Sequence, residues 1–308
     1  MKILLIGSTG QLGRELIKSS PKDIDLIYPS KINFDLSNTT QCYKYILDTL
    51  PDWVINSGAY TNVDKAEKEK EIAYEINAKG PQSIAKALSK TNGKLIHIST
   101  DYVFNGEQNT PYKVNKKISP INYYGFSKAT GEELIQKLLP ENNKLCIIRT
   151  SWLMSPYGNN FATKIMKSLQ DRDEVKVVYD QISSPTSTKA LANAIWKAIE
   201  LNNLFSLTKK NFPKMIHFSN SGVASWYDVA EAIGEIGIKK GLIKEMATLL
   251  PIESSEYQTA ALRPKYSVLE SSQTKRFLNI RNLHWRKALL EDFENFLNHQ
   301  NQNKLKIK

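Results

Sequence analysis

Short apolar runs alternate with amphipathic stretches along the first half of the chain. Lys2 to Ile6 is a run of leucine and β-branched residues, the pattern of a strand buried on both faces of a parallel sheet. Asp25 to Tyr28, Trp53 to Asn56, Lys94 to Ile98 and Lys144 to Ile148 read as four further strands. Helical stretches lie between them. One opens at Arg14, one begins near Thr39, a charged one runs from Asp64 through Lys70, and another passes Tyr74, Asn77 and Ile84 to Leu88. Gly80-Pro81 is a candidate interruption of the last, and Asn77, the odd polar residue in it, reads as a solvated side chain. Glu107 to Pro120 has no strong period and is expected to be a surface loop; a helix of small, polar and charged residues follows it. Strand and helix alternate as in an α/β protein with a doubly wound parallel sheet.

Beyond Arg149 the periodicity changes. Helices are expected from Asn160 to Leu169, Thr188 to Ile199, Ser225 to Ile236 and Trp285 to Leu297, and short strands at Val175 to Val178 and Met215 to Phe218. The division is therefore a dinucleotide-binding domain at 1–150 and a smaller mixed α/β substrate lobe at 151–308, with room for some segments to return to the first domain. The polar tail Asn301 to Lys308 is expected to fray.

Composition narrows the choice of partner. At 308 residues, 41% hydrophobic and 24% charged, the chain has ordinary soluble globular proportions and can bury a full core. The net charge of +11 comes from scattered lysines whose densest clusters are pairs, such as Lys116-Lys117 and Lys239-Lys240. No basic arm or basic-aromatic stripe stands out, so a nucleic-acid partner is not expected; the excess charge suits anionic ligands. No segment approaches the roughly 18 apolar residues that span a bilayer, and the N-terminal run is too short for a signal peptide. Cys42 and Cys146 are isolated, which favours a reducing, cytoplasmic setting. His97, His217, His284 and His299 have no metal-ligand spacing.

The candidate chemistry sits where strands end. Gly7, Gly10 and Gly13 fall between the first strand and the first helix, in the order of a dinucleotide loop: a tight turn, a close approach to pyrophosphate, and close helix packing. The helix N-terminus then offers N–H groups to phosphate. After the second strand no carboxylate stands ready for a ribose; the chain reads Tyr28-Pro29-Ser30-Lys31, and Ser30 with Lys31 suits a 2′-phosphate, which points to NADP(H). Asp35 has two readings, a contact to the adenine edge or a cap for the helix near Thr39. Ser57 to Tyr60 and Ser99-Thr100-Asp101 again occupy carboxyl ends of strands, where ligands lie in open α/β sheets. Tyr124 and Lys128 are four apart on a helix and share a face. A cation near the phenol is expected to lower its pKa from about 10 and suit it to protonate a carbonyl oxygen.

These pieces combine with longer stretches: GSTGQLGREL at 7–16, AYTNVDKAE at 59–67, INAKG at 76–80, STDYVFNG at 99–106, YGFSKATGE at 124–132, IIRTSWL at 147–153, NNF at 159–161, VVYDQ at 177–181 with Pro185-Thr186, and RPKYSVLE at 263–270. Together they resemble the extended short-chain dehydrogenase/reductase superfamily, and within it the dTDP-4-dehydrorhamnose reductases, over nearly the whole chain. The resemblance implies a Rossmann fold and a catalytic set of Thr100, Tyr124 and Lys128. Tyr124 gives its proton to the C4 oxygen of a dTDP-linked keto sugar. Lys128 lowers the phenol's pKa and holds the nicotinamide ribose, and Thr100 bonds the same oxygen. NADPH is the implied hydride source, NADH the alternative. Gly10, Gln11 and Leu12 would lie on the pyrophosphate, with Asp35, Ala59 and Tyr60 toward the adenosine half. Asp101 and Trp152 would touch the sugar nucleotide, unless Trp152 is a core residue. Arg263 would grip the diphosphate or sit in a surface ion pair.

The chain departs from the family pattern in places. Some members hold magnesium at a dimer interface through three glutamates; Glu15 matches the first, but Lys189 stands where the second is expected, so no metal is expected here, and monomer or homodimer stays open. A dehydratase on this scaffold needs a carboxylate after Asp101, and Tyr102 stands there. Two alternatives remain: a reductase of another dTDP- or UDP-linked keto-deoxysugar, and a non-catalytic NADP-binding regulatory subunit.

Overall fold

The apolar runs of the first half become parallel strands and the amphipathic stretches become the helices between them. The computed structural model describes residues 1–156, 158–281 and 283–294. Strand β1 (Lys2–Ile6) leads into α1 (Gln11–Lys18), β2 (Asp25–Ile27) into α2 (Thr39–Thr49), and β3 (Trp53–Asn56) into α3 (Val63–Ala66), α4 (Lys70–Tyr74) and α5 (Gly80–Leu88). Gly80-Pro81 does not break the last helix. A π-helical turn over Glu75–Lys79 joins α4 to α5, and Pro81 falls in the first turn of α5, where its missing N–H costs least. Strand β4 (Lys94–Thr100) is followed by α6 (Tyr123–Leu138) and β5 (Leu145–Thr150).

The intervening stretch from Glu107 to Pro120 is not purely a surface loop. Tyr112 is buried, stacks on Phe104 at 4.2 Å, and exchanges backbone hydrogen bonds with Val268 and Glu270. Aperiodic sequence hides such an anchor because one aromatic is enough to pin a loop.

In the second half, β6 (Leu153–Met154), α7 (Phe161–Asp171), β7 (Glu174–Val178), β8 (Ile182–Ser183) and β9 (Thr186–Ser187) precede α8 (Thr188–Leu207) and β10 (Met215–His217). Then come β11 (Ala224–Ser225), α9 (Trp226–Lys239), β12 (Thr248–Ile252), α10 (Ser272–Phe277) and a helix over 285–294. The rest of the helix expected to Leu297, His299 and the tail from Asn301 lie outside the described residues.

The main sheet has the order β2-β1-β3-β4-β5-β10, every neighbour parallel. Its strand residues alternate between two apolar layers. Leu4, Val54, Leu95 and Ile147 face α2, α5 and α6 through Ile46, Ile84 and Ile135. Ile3, Ile55, Ile96 and Ile148 face α1 and α8 through Leu16, Leu191 and Ile195. Thus α8 and β10, from beyond residue 150, complete the sheet of the first half. A second core packs α7 and α9 on the parallel pair β7 and β12, with Leu169, Val175, Val229, Ile233 and Leu249 at its centre. Strand β12 has no sequence signal because Pro251 interrupts its apolar run; the proline is tolerated because β12 has a single neighbour. Among the described residues no helix is long and apolar enough to cross a membrane.

Between α6 and β5 the Arg149 guanidinium grips the Glu132 carboxylate at 2.6 Å, with the side chains only 4% and 1% exposed. Replacing Arg149 with methionine leaves Glu132 buried and unpaired, and the expected loss is roughly 3–5 kcal/mol in urea denaturation. The double replacement Glu132→Met/Arg149→Met recovers most of it. A single variant as stable as the parent would show that the pair is not what fixes this contact.

Candidate active site

The sheet order reverses between β1 and β3, and a trough opens there along the carboxyl edge of the strands. A cavity of about 640 Å³ is lined by Gly7, Gly10, Gln11, Leu12, Gly13 and Ala59 toward one end and by Thr100, Asp101, Tyr124, Lys128 and Trp152 toward the other. A second cavity of about 210 Å³ shares Gly7, Gly58 and Ala59 with it and is also lined by Lys31, Phe34 and Asp35. Most of the candidate residues thus meet in one continuous trough.

Three candidates do not line it. Ser30 turns the chain instead, its carbonyl accepting from the N–H groups of Asn33 and Phe34. The Tyr60 hydroxyl donates to Glu69 at 2.6 Å. Arg263 forms a two-armed pair with Asp64, closing to 2.5 Å, which is the ion-pair alternative. The capping alternative for Asp35 also falls away, because Asn38 caps α2. Burial pushes the Asp35 carboxyl up, but hydrogen bonds from Ser37 and the Lys31 cation 3.8 Å away outweigh it and leave it below its ordinary value.

The glycine loop is built by close packing. Gly7 has φ +84°, and a Cβ there would lie 2.6 Å from the Gly58 nitrogen; a Cβ on Gly13 would lie 2.1 Å from the Gly7 carbonyl oxygen. Helix α1 starts without a side-chain cap, so its first-turn N–H groups are left for an anion. Arg14, to which the sequence assigned no role, lines the cavity and donates to the Thr9 carbonyl at 3.0 Å. This cradle fits a dinucleotide pyrophosphate. The Gln11 side chain is engaged elsewhere: it donates to the Leu153 carbonyl and accepts from Ser155, each at 3.1 Å, tying the loop to the start of the second half.

At the other end, Asn122 caps α6 by accepting from the Gly125 N–H at 2.8 Å, and Tyr124 and Lys128 follow one turn apart. The Tyr102 ring stands edge-on to Tyr124 at 5.8 Å, where a dehydratase would need a carboxylate. The phenol differs from expectation: its pKa is not lowered. Burial pushes it up to about 12; a hydrogen bond with Thr100 works against this, and the Asp101 charge adds to it. Lys128 does not offset that burial because its ammonium is turned to the sheet. It donates to the Ile98 carbonyl at 2.7 Å and meets His97 Nε2 at 3.3 Å. Burial lowers the Lys128 amine to about 8, with Glu132 acting in the opposite direction. A phenol that keeps its proton at neutral pH is in the form a proton donor needs.

The floor beneath Lys128 was not legible as function. The Asn56 amide oxygen accepts from the Gly58 N–H at 3.2 Å, so its nitrogen donates to His97 Nδ1 at 3.1 Å. The His97 ring meets the Lys128 ammonium at its other nitrogen, and burial together with that lysine holds its pKa well below the ordinary value. Asn77, expected to be solvated, is 1% exposed. It clamps Tyr60 by accepting from its N–H at 2.8 Å and donating to its carbonyl at 3.0 Å, and it also donates to Ser127 at 3.0 Å. The one signal for it was a polar residue in an otherwise apolar helical stripe.

Asp101 is 2% exposed and takes hydrogen bonds from Ser267 at 2.5 Å, Thr100 at 3.1 Å and Ser183 at 3.4 Å. Burial pushes its carboxyl up to about 6 against those hydrogen bonds. Trp152 is half-buried at φ +43°, stacked on Trp226 with ring centroids 3.5 Å apart and planes 8° off parallel. It lines the cavity while leaning on the second core. Away from the trough, Asp292 is pushed up to about 6, first by burial; Ser187 and Lys189 pull it down while Glu15 and Glu291 push it up. The Lys189 cation thus acts on the same carboxylate as Glu15. Among the described residues no group of three or more His, Cys, Asp or Glu side chains is placed to hold a metal ion.

A doubly wound parallel sheet with a glycine cradle at its switch point and Thr100, Tyr124 and Lys128 around one cavity defines an extended short-chain dehydrogenase/reductase fold. The chain belongs to the family described as the RmlD substrate binding domain, whose profile matches residues 1–298. It is similar to the spore coat polysaccharide biosynthesis protein SpsK of Bacillus subtilis, with 38% identity over 94% of this chain and 96% of the relative. A solved dTDP-4-dehydrorhamnose reductase from Clostridium acetobutylicum superposes with a TM-score of 0.86 at 34% identity, covering 96% of this chain and all of that one. The Bacillus anthracis dTDP-4-dehydrorhamnose reductase, solved in complex with NADP, superposes with a TM-score of 0.82 at 34% identity, covering 96% and 99%.

The buried Asp101 gives a pH signature. Its folded pKa of about 6 lies above the ordinary value of 3.8, so its contribution to stability is complete below the unfolded value and is lost as pH rises through about 6. Near neutrality the ionised group weakens the fold by roughly 3 kcal/mol. Asp101→Asn is therefore expected to melt above the parent at about pH 8, with the gap closing as pH falls toward 4. A gap that does not change with pH across thermal melts would rule out this origin.

Proposed function

We propose that this chain reduces the C4 ketone of dTDP-4-dehydro-6-deoxy-L-mannose to give dTDP-L-rhamnose, with NADPH as reductant. The observation that carries the reading is the meeting of Thr100, Tyr124 and Lys128 on a cavity that is also lined by the glycine cradle. NADPH, when bound, supplies the hydride to C4; the cradle and the free N–H groups of α1 suit its pyrophosphate. Tyr124 gives its proton to the oxygen that becomes the alcohol, and Thr100, whose hydroxyl donates to Asp101 in this structure, would turn to donate to that oxygen as charge builds on it. Lys128, which lines the same cavity and keeps ammonium hydrogens beyond the one given to Ile98, would hold the nicotinamide ribose. Asp101 and Trp152 border the sugar, Trp152 as a rigid aromatic wall. Lys31 at the smaller cavity favours the 2′-phosphate of NADPH over NADH.

On this reading residues 1–150 carry the cofactor and the proton donor, while the substrate is held mainly by 151–308. The enzyme works in the cytoplasm, as a monomer or homodimer, in making a precursor of cell-surface polysaccharide.

The direct test is loss of NADPH absorbance with the purified chain and the dTDP-linked keto sugar. Turnover is expected, and Tyr124→Phe is expected to lower kcat by roughly 10²–10⁴ while NADPH still binds. A phenylalanine variant with near-parental kcat would overturn the role of the phenol, and no oxidation of NADPH or NADH would overturn the substrate. Lys31→Ala is expected to weaken NADPH by about three- to tenfold and leave NADH unchanged; equal weakening of both in fluorescence titration would remove the 2′-phosphate contact.

A further inference from the structure

Two hydroxyls in the trough have no work within the protein. Ser99 Oγ and Thr150 Oγ1 are buried and have no hydrogen-bond partner, although their residues line the large cavity. Ser99 is 3% exposed and Thr150 7%. A buried hydroxyl left unpaired costs about 1–3 kcal/mol, so folded proteins rarely keep one without a use. Here two stand together at the carboxyl ends of adjacent strands. Thr150 lies directly across from Thr100 in the pairing of β4 and β5, and Ser99 lies across from Arg149. The residue before Ser99, Ile98, takes the Lys128 ammonium on its carbonyl at 2.7 Å. The orphan pair therefore borders the catalytic residues themselves.

Their neighbours on those strands are all satisfied. Thr100 donates to Asp101 and accepts from the Tyr102 N–H, Arg149 holds Glu132, and Ser151 donates to the Ser184 carbonyl at 2.6 Å. Along these strand ends the unpaired state is thus confined to Ser99 and Thr150, both of which line the trough. Both residues line the cavity, and each hydroxyl turns about a single Cα–Cβ bond between staggered positions.

We propose that Ser99 and Thr150 are cofactor-positioning residues whose hydroxyls hydrogen-bond the polar groups of the nicotinamide nucleoside. The assignment rests on the reductase reading above. With the pyrophosphate on the glycine cradle of β1 and α1, Lys31 and Asp35 at the smaller cavity would hold the adenosine, and the ends of β4 and β5 would be left to the other nucleoside. That nucleoside carries ribose hydroxyls and a carboxamide, which both donate and accept, as an unpaired serine or threonine requires.

The distinguishing property of such residues is that they serve the complex and burden the empty protein. Ser99→Ala and Thr150→Val remove the hydroxyl with little change of shape, and Thr150→Ser keeps it. For the two hydroxyl-free variants the expected result has two parts. Without cofactor they melt at or above the parental temperature, because an unpaired buried group is gone. They bind NADPH roughly three- to tenfold more weakly by fluorescence titration, while 2′,5′-ADP, which lacks the nicotinamide nucleoside, binds as in the parent. Thr150→Ser restores NADPH affinity.

Variants that melt lower without cofactor and weaken 2′,5′-ADP in parallel would make the hydroxyls structural and overturn the proposal. Unchanged NADPH affinity with a raised KM for the keto sugar would assign them to the sugar and also overturn it. A parent protein that binds neither NADPH nor 2′,5′-ADP would instead sink the reductase reading, whereas a parent that binds NADPH no better than its variants sinks the hydroxyl assignment alone.

Discussion

Two opposite charges lie almost wholly out of water between α6 and β5, and the placement of the helix that carries Tyr124 and Lys128 follows from them. Neither Glu132 nor Arg149 tolerates separation in that environment, so the helix has one register against the strand. The guanidinium also lies 3.4 Å from His217 of β10 and over the Phe104 ring at 5.2 Å. One side chain thereby fixes α6, β5, β10 and the anchored loop after β4 relative to one another. Tyr124 and Lys128 ride on that helix two turns and one turn before Glu132, and their positions over the strand ends are inherited from it.

Above that pair the site is a polar layer laid on an apolar sheet. Asn56, His97 and Lys128 form one chain of contacts, and Tyr60, Asn77 and Ser127 form another, both buried and mostly paired. Such layers fix side chains well because every alternative arrangement leaves a donor or acceptor unpaired. They also explain why the protein keeps a phenol of high pKa next to a buried carboxyl: the same exclusion of water that raises both makes a donated hydrogen bond stronger.

Much of this was legible in the sequence. The five strands of the first half, the glycine loop and the Tyr124–Lys128 helix follow from period, turn chemistry and i, i+4 spacing, which are local properties. What the sequence hid depends on distant neighbours. Asn77 looked solvated because an asparagine in a helix usually is, and its partners Tyr60 and Ser127 come from other elements. The direction of the Tyr124 shift was missed because spacing shows that Lys128 is near but not where its ammonium points. The capping reading of Asp35 and the ion-pair reading of Arg263 turn on Asn38 and Asp64, which come into view only in the fold. Strand β12 was hidden by Pro251, and the membership of β10 in the main sheet by the sixty-odd residues between it and β5.

That last feature bears on how the chain is made. A ribosome releases residues 1–150 long before it releases α8 and β10. Until then β5 is an open edge, and one face of the sheet, with Ile55, Ile96 and Ile148, lacks α8, one of the two helices that cover it. The nascent first half is therefore an incomplete object, with an unpaired strand and a sticky surface, for as long as synthesis of the intervening segment lasts. It cannot close on its own terms; the residues that finish it, α8 and β10, arrive from beyond residue 150. Cutting the chain at its apparent boundary would separate two pieces of which the first has never existed in a finished form.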